Sequence, residues 1–480
     1  MGWLSLLPDG ALRGLRRLIL KMGRGMNRQK MLAQSRRRAM GMIPLAAQHS
    51  AAYRVLLREH GCGHTPAESA EWAQLPVLTK QNTFGRFALN ELARDVPAQE
   101  LADVLTSSGR GGRSFGFRLT ARDQHEEGWF DIDLGLQDVF DVDRRSTLLV
   151  NCLPMGVVFR SKAVAVANVS VRQDMACSIL RDVGPKFQQT VLCTDPLFIR
   201  ALLEEAEVAG VDWKALNTSV IIGEEILVEA QRDYIASRMG MDLDVDDSRL
   251  IGSSFGVGEL GLNLLFETRE TIRMRRAAVR DACVAQALGC RDGAASIPSL
   301  FCYNPMRSFI EVLNPDEDGY GEMCVTMLDQ HAVIPLPRYT TGDMVRLLSE
   351  EEARALAIQA GGTPPWLPML AVKGRIKDQI AGLPSVEGVK ECLYRDHAVA
   401  DRLTGAFKIL TDEGGPVRVV FQARPDAEPD LAFLSNRLTV MLRDRWHAPL
   451  QAEALAATAF PWRPLLDHER KFAYMDASAA

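Results

Sequence analysis

Two short apolar segments, at residues 147–151 and 219–223, constrain the fold of this chain more than any other feature. Each is rich in aliphatic and β-branched residues and ends in a small or polar residue, as strands buried on both faces of a parallel sheet do. Between them, residues 196–210 carry apolar side chains at helical spacing. This alternation predicts a doubly wound α/β layer, in which ligands usually bind beyond the carboxyl ends of the strands.

The second half of the chain has a different pattern. Residues 308–313 and 321–326 are short strand-like runs that flank a turn, which predicts an antiparallel, β-rich subdomain over about residues 307–374. A strand-like run followed by a helical pattern predicts a small α+β domain over residues 375–480. We therefore predict an α/β protein with a large N-terminal domain of doubly wound sheets over residues 41–374, which includes the small β subdomain, and a small mobile α+β C-terminal domain.

Residues 1–40 form a basic N-terminal arm. They hold ten of the 56 Lys and Arg residues of the chain, but Asp9 is their one acid among 61. Residues 12–21 have the spacing of an amphipathic helix, which predicts weak contact with an anionic membrane surface or with a partner protein. A solvated helix that docks on the body of the protein is the alternative.

Several classes of protein are disfavoured. No apolar stretch approaches the ~20 residues that span a bilayer, and no secretory signal pattern is present, so we expect a cytoplasmic protein. The nine Cys residues show no CxxC pair and no zinc-ligand spacing, which favours free buried thiols. Basic and aromatic residues do not interleave, so we expect no nucleic-acid partner.

A loop rich in glycine and hydroxyl groups, Thr-Ser-Ser-Gly-Arg-Gly-Gly-Arg-Ser, occupies residues 106–114. Glycines let backbone amides approach an anion, hydroxyls donate to phosphate oxygens, and arginines add positive charge. The loop lacks both common phosphate fingerprints, GxxxxGK with a following Ser or Thr, and GxGxxG. It predicts a phosphate-binding loop, and an ordinary solvated loop is the alternative.

A carboxylate, Glu259, follows a glycine-rich bend at residues 251–258. Carboxylate oxygens are hard ligands, so Glu259 is a candidate to hold a magnesium ion that bridges nucleotide phosphates. A helix cap or an ion pair with a nearby base is the structural alternative.

Two further motifs are Arg-Tyr-Thr-Thr-Gly-Asp, which ends at Asp343, and Gly-Arg-Ile-Lys-Asp at residues 374–378. An ionised carboxylate at a tight glycine turn accepts hydrogen bonds from both ribose hydroxyls. The second motif combines a flexible residue with cations at a predicted domain junction, which indicates a hinge. Plain turns are the alternative for both.

The charged cluster at residues 468–472 includes Lys471. An ammonium on a flexible stem suits stabilisation of a pentavalent phosphorus centre when domain movement brings it there. A solvated terminal cluster is the alternative.

Segments that follow the predicted strands are expected to line a substrate pocket. The candidate pocket residues are Asn151, Met155, Gly223, Glu224 and Glu225. The adjacent glutamates suit a cationic or amine-bearing substrate, and a solvated helix start would look the same.

In their order along the chain, these motifs resemble those of the adenylate-forming (acyl-activating) enzyme superfamily, most closely its phenylacetate-CoA ligase-like branch. Residues 46–54 and 75–80 also look like the opening segments of that branch. The resemblance covers nearly the whole chain after residue 40, and it implies that residues 41–374 form a large adenylation domain.

Individual residues acquire roles from this resemblance. The ATP-binding residues that it implies are Ser107, Ser108, Gly109, Arg110, Gly111, Gly112, Phe255, Gly256, Asp343 and Arg375. Phe255 would lie beside adenine, Asp343 would bind ribose, and Arg375 would contact the nucleotide near the hinge. The implied catalytic residues are Lys471, Glu259 with its magnesium, and Arg113, and Lys377 would occupy the hinge.

The sequence departs from the family pattern in two places. The family loop commonly reads Ser-Ser-Gly-Thr-Thr-Gly-Lys-Pro, whereas this chain has Ser-Ser-Gly-Arg-Gly-Gly-Arg-Ser from Ser107, with two hydroxyls lost and a cation gained. Gly258 replaces the usual Ser or Thr before Glu259. These changes leave open a catalytically impaired homologue that binds a nucleotide or a partner.

The activity that the resemblance implies is ATP-dependent activation of a small-molecule carboxylic acid as an acyl-adenylate. Pyrophosphate is released, and the acyl group then passes to CoA or another nucleophile, with ATP and Mg2+ required. An amine or the thiol of a carrier protein would use the same first half-reaction, so an amide-forming or carrier-loading enzyme is a second alternative.

Overall fold

The computed structural model describes residues 3–62, 72–107, 115–154, 156–290, 296–378, 384–410, 417–446, 450–460 and 472–475. The α-helices within these ranges are α1 (Asp9–Gly25), α2 (Arg28–His49), α3 (Ala51–Glu59), α4 (Leu89–Leu92), α5 (Arg122–Phe140), α6 (Gln173–Asp182), α7 (Phe198–Ala209), α8 (Glu229–Arg238), α9 (Arg269–Arg280), α10 (Ala282–Ala287), α11 (Glu350–Gln359), α12 (Val386–Arg395), α13 (His397–Ala400) and α14 (Leu431–Trp446).

The β-strands within the same ranges are β1 (Leu101–Thr106), β2 (Phe117–Ala121), β3 (Thr147–Asn151), β4 (Ala165–Asn168), β5 (Gln189–Thr194), β6 (Thr218–Ile222), β7 (Ile251–Val257), β8 (Gly261–Phe266), β9 (Ser299–Tyr303), β10 (Ser308–Leu313), β11 (Gly321–Met327), β12 (Tyr339–Leu348), β13 (Met369–Arg375), β14 (Leu403–Leu410), β15 (Val417–Ala423) and β16 (Leu450–Leu455). Both strands from which the fold was predicted are confirmed, as β3 and β6.

The parallel half of the large sheet has the order β4-β3-β5-β6-β7 and is covered on both faces. Leu148 and Leu192 point to the face that packs against α6, α7 and α8. Their neighbours Leu149 and Val191 point to the opposite face, where they pack against the end of α5 and against α9. This two-sided burial explains the continuous apolar runs of these strands, and it confirms the doubly wound α/β layer.

The antiparallel half continues the same sheet through β7. The first half of β7 pairs in parallel with β6, up to Ser253, and its second half pairs antiparallel with β8, from Ser254. Strands β9, β13, β12, β11 and β10 follow in that order. The predicted strands of the β-rich subdomain are confirmed as β10 and β11, and hydrogen bonds join them to the large sheet.

The small C-terminal domain contains the sheet β14-β15-β16, in which β14 and β15 are antiparallel and β15 and β16 are parallel. It packs on α7 and α8 through a shared hydrophobic cluster. The carboxylate of Glu391 on α12 accepts the backbone N–H groups of Glu229 and Ala230, both at 3.1 Å. It therefore caps the N-terminus of α8 across the domain boundary.

The N-terminal arm is helical and docked. Helix α1 packs on α5 through Leu12, which shares a hydrophobic cluster with Trp129 and Phe130, and its buried Arg16 forms an ion pair with Asp143. Helix α2 runs through residue 40, so the boundary predicted there falls within one helix. None of the helices that the structure describes is long and apolar enough to cross a membrane.

Four charged side chains, Arg232, Arg275, Glu229 and Glu267, form a buried cluster that joins α8 to α9 and to the end of β8. Arg232 Nη2 lies 2.9 Å from both Glu229 Oε1 and Glu267 Oε1, and Arg275 Nη1 lies 3.2 Å from Glu229 Oε1. Burial raises the pKa of Glu229, but the charges of Arg232 and Arg275 outweigh it, so that pKa lies below its usual value. Removal of one member therefore leaves an uncompensated charge in the interior.

We expect Arg232→Ala to lower the free energy of unfolding by about 3–5 kcal/mol, because Glu229 and Glu267 lose their shared cation. The matched control is Arg280→Ala on α9, whose side chain is 57% exposed, against 0% for Arg232. Urea denaturation of both variants measures the difference. Equal losses would contradict a structural role for the buried cluster.

Candidate functional site

A cavity of about 1380 Å³ opens where β3, β5 and β6 end. Its walls come from α5, from β7 and the turn after it, from the start of β12 and from the end of β13. This is the edge at which doubly wound sheets usually hold ligands. One part of the lining is apolar and the other is charged.

Glu259 and Lys80 form the centre of the charged part. Lys80 Nζ donates to Ser107 Oγ at 2.5 Å and lies 3.4 Å from Glu259 Oε1. Ser107 Oγ also accepts the backbone N–H of Gly116 at 3.0 Å. Glu259 accepts a hydrogen bond from the hydroxyl of Tyr339. Burial and the negative charge of Glu259 raise the pKa of Tyr339 above its usual value. The group is therefore a preorganised set of donors around one carboxylate.

Lys80 was not among the predicted site residues. It lies 27 positions before Ser107 in the sequence and two positions after Leu78, which forms a parallel bridge with Tyr339 beside the site. Arg338 fixes the same connection, since its guanidinium donates to the carbonyl oxygens of Trp72 and Leu75 at 2.9 and 2.7 Å. A lysine that ends an apolar connector was the available sequence signal.

Two glycines allow the backbone to approach this group closely. A Cβ on Gly116 would lie 2.2 Å from Glu259 Oε1, and a Cβ on Gly258 would lie 3.0 Å from Ser107 Cα. The turn after β7 thus packs tightly against the end of β1, and a side chain at position 258 would require a small shift of the backbone at Ser107.

Asp343 and Arg375 are cross-strand partners on β12 and β13. Arg375 Nε lies 3.8 Å from Asp343 Oδ1, and Asp343 is buried. Gly342 precedes it with φ +76°, a conformation that favours glycine, and so turns the strand at the cavity wall. Lys377 lies two residues beyond Arg375 and also lines the cavity.

Phe255 and Gly256 on β7 line the cavity as well. The ring of Phe255 lies 6.5 Å from that of Phe301 at an angle of 55°. Gly256 permits close packing of β7 on β8, because a Cβ there would lie 3.0 Å from Leu262 Cα. The predicted nucleotide residues that the structure describes therefore lie around one cavity.

Only some of the predicted pocket residues that the structure describes line the cavity. Gly223 and Glu224 line the cavity. Asn151 is buried outside the lining, where its amide donates to the carbonyl of Val157 at 2.7 Å and shapes the loop after β3. Glu225 is not part of the lining, and its carboxylate accepts hydrogen bonds from Lys390 and Tyr474 of the small domain.

Some predicted residues lie outside the described part of the chain. They are Ser108, Gly109, Arg110, Gly111, Gly112, Arg113, Met155 and Lys471. Their roles stay predictions.

The apolar part of the cavity lies between α5 and the sheet. It is lined by Leu136, Val139, Phe140, Leu149, Leu153, Phe159, Val191, Cys193 and Ile221. Burial raises the pKa of Cys193 to about 12, so this thiol is a neutral apolar wall group. This part suits the hydrocarbon portion of a ligand whose polar end faces Glu259 and Lys80.

Within the described residues, no cluster of three His, Cys, Asp or Glu side chains could hold a metal ion. Glu259 is a single carboxylate beside hydroxyl groups and a cation. Mg2+ is commonly held by one or two carboxylates together with the phosphates of a substrate. The donor set around Glu259 fits that mode and does not form a protein-only metal site.

No protein-family model and no curated protein sequence matches this chain. Crystal structures of 2-hydroxyisobutyryl-CoA ligase share its fold. That ligase in the postadenylation state, in complex with R3-HIB-AMP, is 13% identical, with a TM-score of 0.65 over 94% of this chain and 90% of the ligase.

Two other states of the same ligase give lower scores. The thioesterification state, in complex with 2-HIB-AMP and CoA, has a TM-score of 0.54 at 13% identity over 94% of this chain and 90% of the ligase. An open conformation with the same ligands gives 0.53 at 13% identity, over 94% and 91%. The chain has the fold of adenylate-forming enzymes.

We expect Gly116→Ala to lower the free energy of unfolding by roughly 1–3 kcal/mol, because its methyl group would overlap the Glu259 carboxylate. Gly14→Ala on α1 is the matched control, since a Cβ there meets nothing within 4 Å. It should be neutral or slightly stabilising, as alanine is in a helix. Urea denaturation compares the two, and equal stability would contradict the packing described for Gly116.

Proposed function

We propose that this chain is an ATP-dependent acid-activating ligase. It would join a small-molecule carboxylic acid to AMP, release pyrophosphate, and transfer the acyl group to the thiol of CoA. The observation that supports this most is a cavity whose lining combines the charged group of Glu259, Lys80 and Ser107 with an apolar wall. The shared fold with 2-hydroxyisobutyryl-CoA ligase is consistent with it.

The phosphates of ATP would bind at the charged end. Ser107 begins the predicted phosphate loop, and Lys80 holds its hydroxyl in place while its ammonium faces the same space. Glu259 would hold Mg2+, which when bound offsets negative charge on the phosphates as pyrophosphate leaves. Lys80 supplies a fixed positive charge that does not depend on the loop residues that differ from the family pattern.

The nucleoside would bind between β7 and β12. Asp343 would accept hydrogen bonds from the ribose hydroxyls, and Arg375 at 3.8 Å keeps its carboxylate oriented toward the cavity wall. Phe255 offers an aromatic edge beside the adenine position. Lys377, in the connection to the small domain, would lie close to the same nucleotide.

The acid would occupy the apolar part. About 1380 Å³ exceeds the roughly 300–1000 Å³ of a pocket for one drug-sized ligand, so there is room for both ATP and an acid. The lining between α5 and β5 favours an aryl or alkyl acid over a polar one. Of the two glutamates predicted to suit a cationic substrate, Glu225 pairs with Lys390, whereas Glu224 lines the cavity.

The chemistry follows from the poor leaving ability of hydroxide. A carboxylate oxygen of the acid attacks the α-phosphorus of ATP, the bond to the bridging oxygen of pyrophosphate breaks, and an acyl-adenylate results. The thiolate of CoA then attacks the acyl carbon and expels AMP. Charges fixed around the α-phosphate lower the barrier of the first step, because they stabilise the charge that develops there.

Comparison with three states of one ligase supports a position of the small domain like that in the state after adenylation. One ligase in three states gives TM-scores of 0.65 after adenylation, and 0.54 and 0.53 in its thioesterification and open states, at nearly equal coverage. We infer that this chain has its small domain in the adenylation arrangement, and that a rotation precedes transfer to CoA.

We expect Glu259→Gln to slow acid-dependent pyrophosphate release by about a hundredfold or more, because it removes a charge from the phosphate site. The assay uses ATP, Mg2+ and a panel of aryl and alkyl acids, with hydroxylamine to trap the acyl-adenylate. Glu100→Gln, an exposed residue outside the cavity, is the matched control and should match the wild-type rate.

Silence of the wild-type protein across the acid panel would contradict the enzymatic proposal. Stabilisation by ATP without any turnover would then favour the catalytically impaired nucleotide-binding homologue, for which the altered loop at residues 107–114 is the reason.

Lys471→Ala should abolish adenylation, since the resemblance gives this lysine the positive charge that stabilises the reacting phosphate. Transfer of an acyl group from a supplied acyl-adenylate to CoA should persist. Pyrophosphate release at the wild-type rate would contradict the role proposed for Lys471.

A further inference from the structure

Glu225 connects the cavity wall to two separate parts of the small domain. Its Oε2 atom accepts a hydrogen bond from Lys390 Nζ on α12 at 2.6 Å and another from the hydroxyl of Tyr474 at 2.8 Å. Lys390 Nζ also lies 4.7 Å from the centre of the Tyr474 ring. We call Glu225, Lys390 and Tyr474 the interdomain triad.

The interdomain triad is largely removed from water. The side chain of Lys390 is 5% exposed and that of Glu225 is 10% exposed. An ion pair of this kind is costly to break on one side only, because the remaining charge stays in a poorly hydrated place. The contact thus holds the small domain tightly in this arrangement and can be released only if both groups reach solvent together.

Two members of the interdomain triad lie close in the sequence to residues of the proposed site. Glu225 directly follows Gly223 and Glu224, which line the cavity. Tyr474 lies three positions after Lys471 in the sequence. Its carbonyl accepts the backbone N–H of Ile409 at 2.8 Å, and its ring packs 4.6 Å from that of Phe407. The C-terminal segment is therefore anchored in the small domain and fastened to the cavity wall at the same residue.

Helix α12 also touches the predicted hinge. Glu387, one turn before Lys390, lies so close to Gly374 that a Cβ there would be 2.9 Å from its Oε1. Gly374 has φ +117°, which a side chain would not readily adopt. The same helix that carries Lys390 thus packs on the residue where the two domains join, so rotation at the hinge would move Lys390 away from Glu225.

We propose that Glu225, Lys390 and Tyr474 are positioning residues that hold the small domain in the adenylation arrangement and separate before acyl transfer. This inference rests on the proposed function. It assigns to Glu225 a role in domain positioning in place of the substrate contact predicted from the sequence. The triad would act through the C-terminal segment that carries Lys471, without touching ATP or the acid.

The first test compares the two half-reactions in Glu225→Gln and Tyr474→Phe. Adenylation, followed as acid-dependent pyrophosphate release, should fall about tenfold or more, since the active arrangement is less populated. Thioester formation from CoA and a chemically prepared acyl-adenylate should stay within about twofold of wild type. Glu351→Gln, an exposed acid on α11, is the matched control and should change neither rate.

The second test needs no activity. Hydrogen–deuterium exchange of the full-length protein follows the backbone amides of Glu229 and Ala230, which Glu391 of the small domain caps. Both triad variants should exchange faster there and at α12, whereas amides of β3 and β5 should keep the wild-type rate. Tyr474→Phe removes one hydroxyl group, so it serves if Glu225→Gln does not fold.

The outcomes separate this inference from the proposed function. If both variants exchange faster but the wild type turns over no acid, the triad does hold the small domain in place and the proposed ligase activity is wrong. An active wild type whose variants show unchanged exchange, or an equal loss in both half-reactions, would overturn the triad.

Discussion

The change of pairing along β7 is the constraint on which the site depends. This strand is parallel to β6 up to Ser253 and antiparallel to β8 from Ser254, so it belongs to both halves of the large sheet. The residues that emerge from this junction are Phe255 to Glu259, which lie at the carboxyl edge of the parallel strands. Glu259 therefore lies in the turn between β7 and β8, where it lines the cavity.

The charged end of the cavity is assembled from distant parts of the chain by backbone contacts. Leu78 bridges to Tyr339, which brings Lys80 and the hydroxyl of Tyr339 to the carboxylate of Glu259. Gly116 then allows the start of β2 to approach the same carboxylate, and Gly258 allows the turn after β7 to approach Ser107. The electrostatic part of the site thus depends on close backbone packing, which is tightest at Gly116 and Gly258.

Sequence reasoning predicted the elements well because the buried strands are continuous apolar runs between breakers. Strands β3 and β10 begin at the predicted residues, and Glu259, Asp343 and Arg375 line one cavity. It did not find Lys80, because that contact depends on a bridge between residues far apart in the sequence. It interpreted Glu225 and Asn151 as pocket residues, whereas their partners, Lys390 and Val157, are visible only in the folded chain.

Attack of the acid on the α-phosphate of ATP can be followed by placing oxygen-18 at both positions of the carboxylate of an accepted acid. Mass spectrometry of the nucleotide after complete turnover with CoA gives the answer. We predict that AMP carries one oxygen-18 atom, because the carboxylate oxygen stays on phosphorus when the thiolate takes the acyl group. Unlabelled AMP, or ADP with the label in inorganic phosphate, would contradict the formation of an acyl-adenylate.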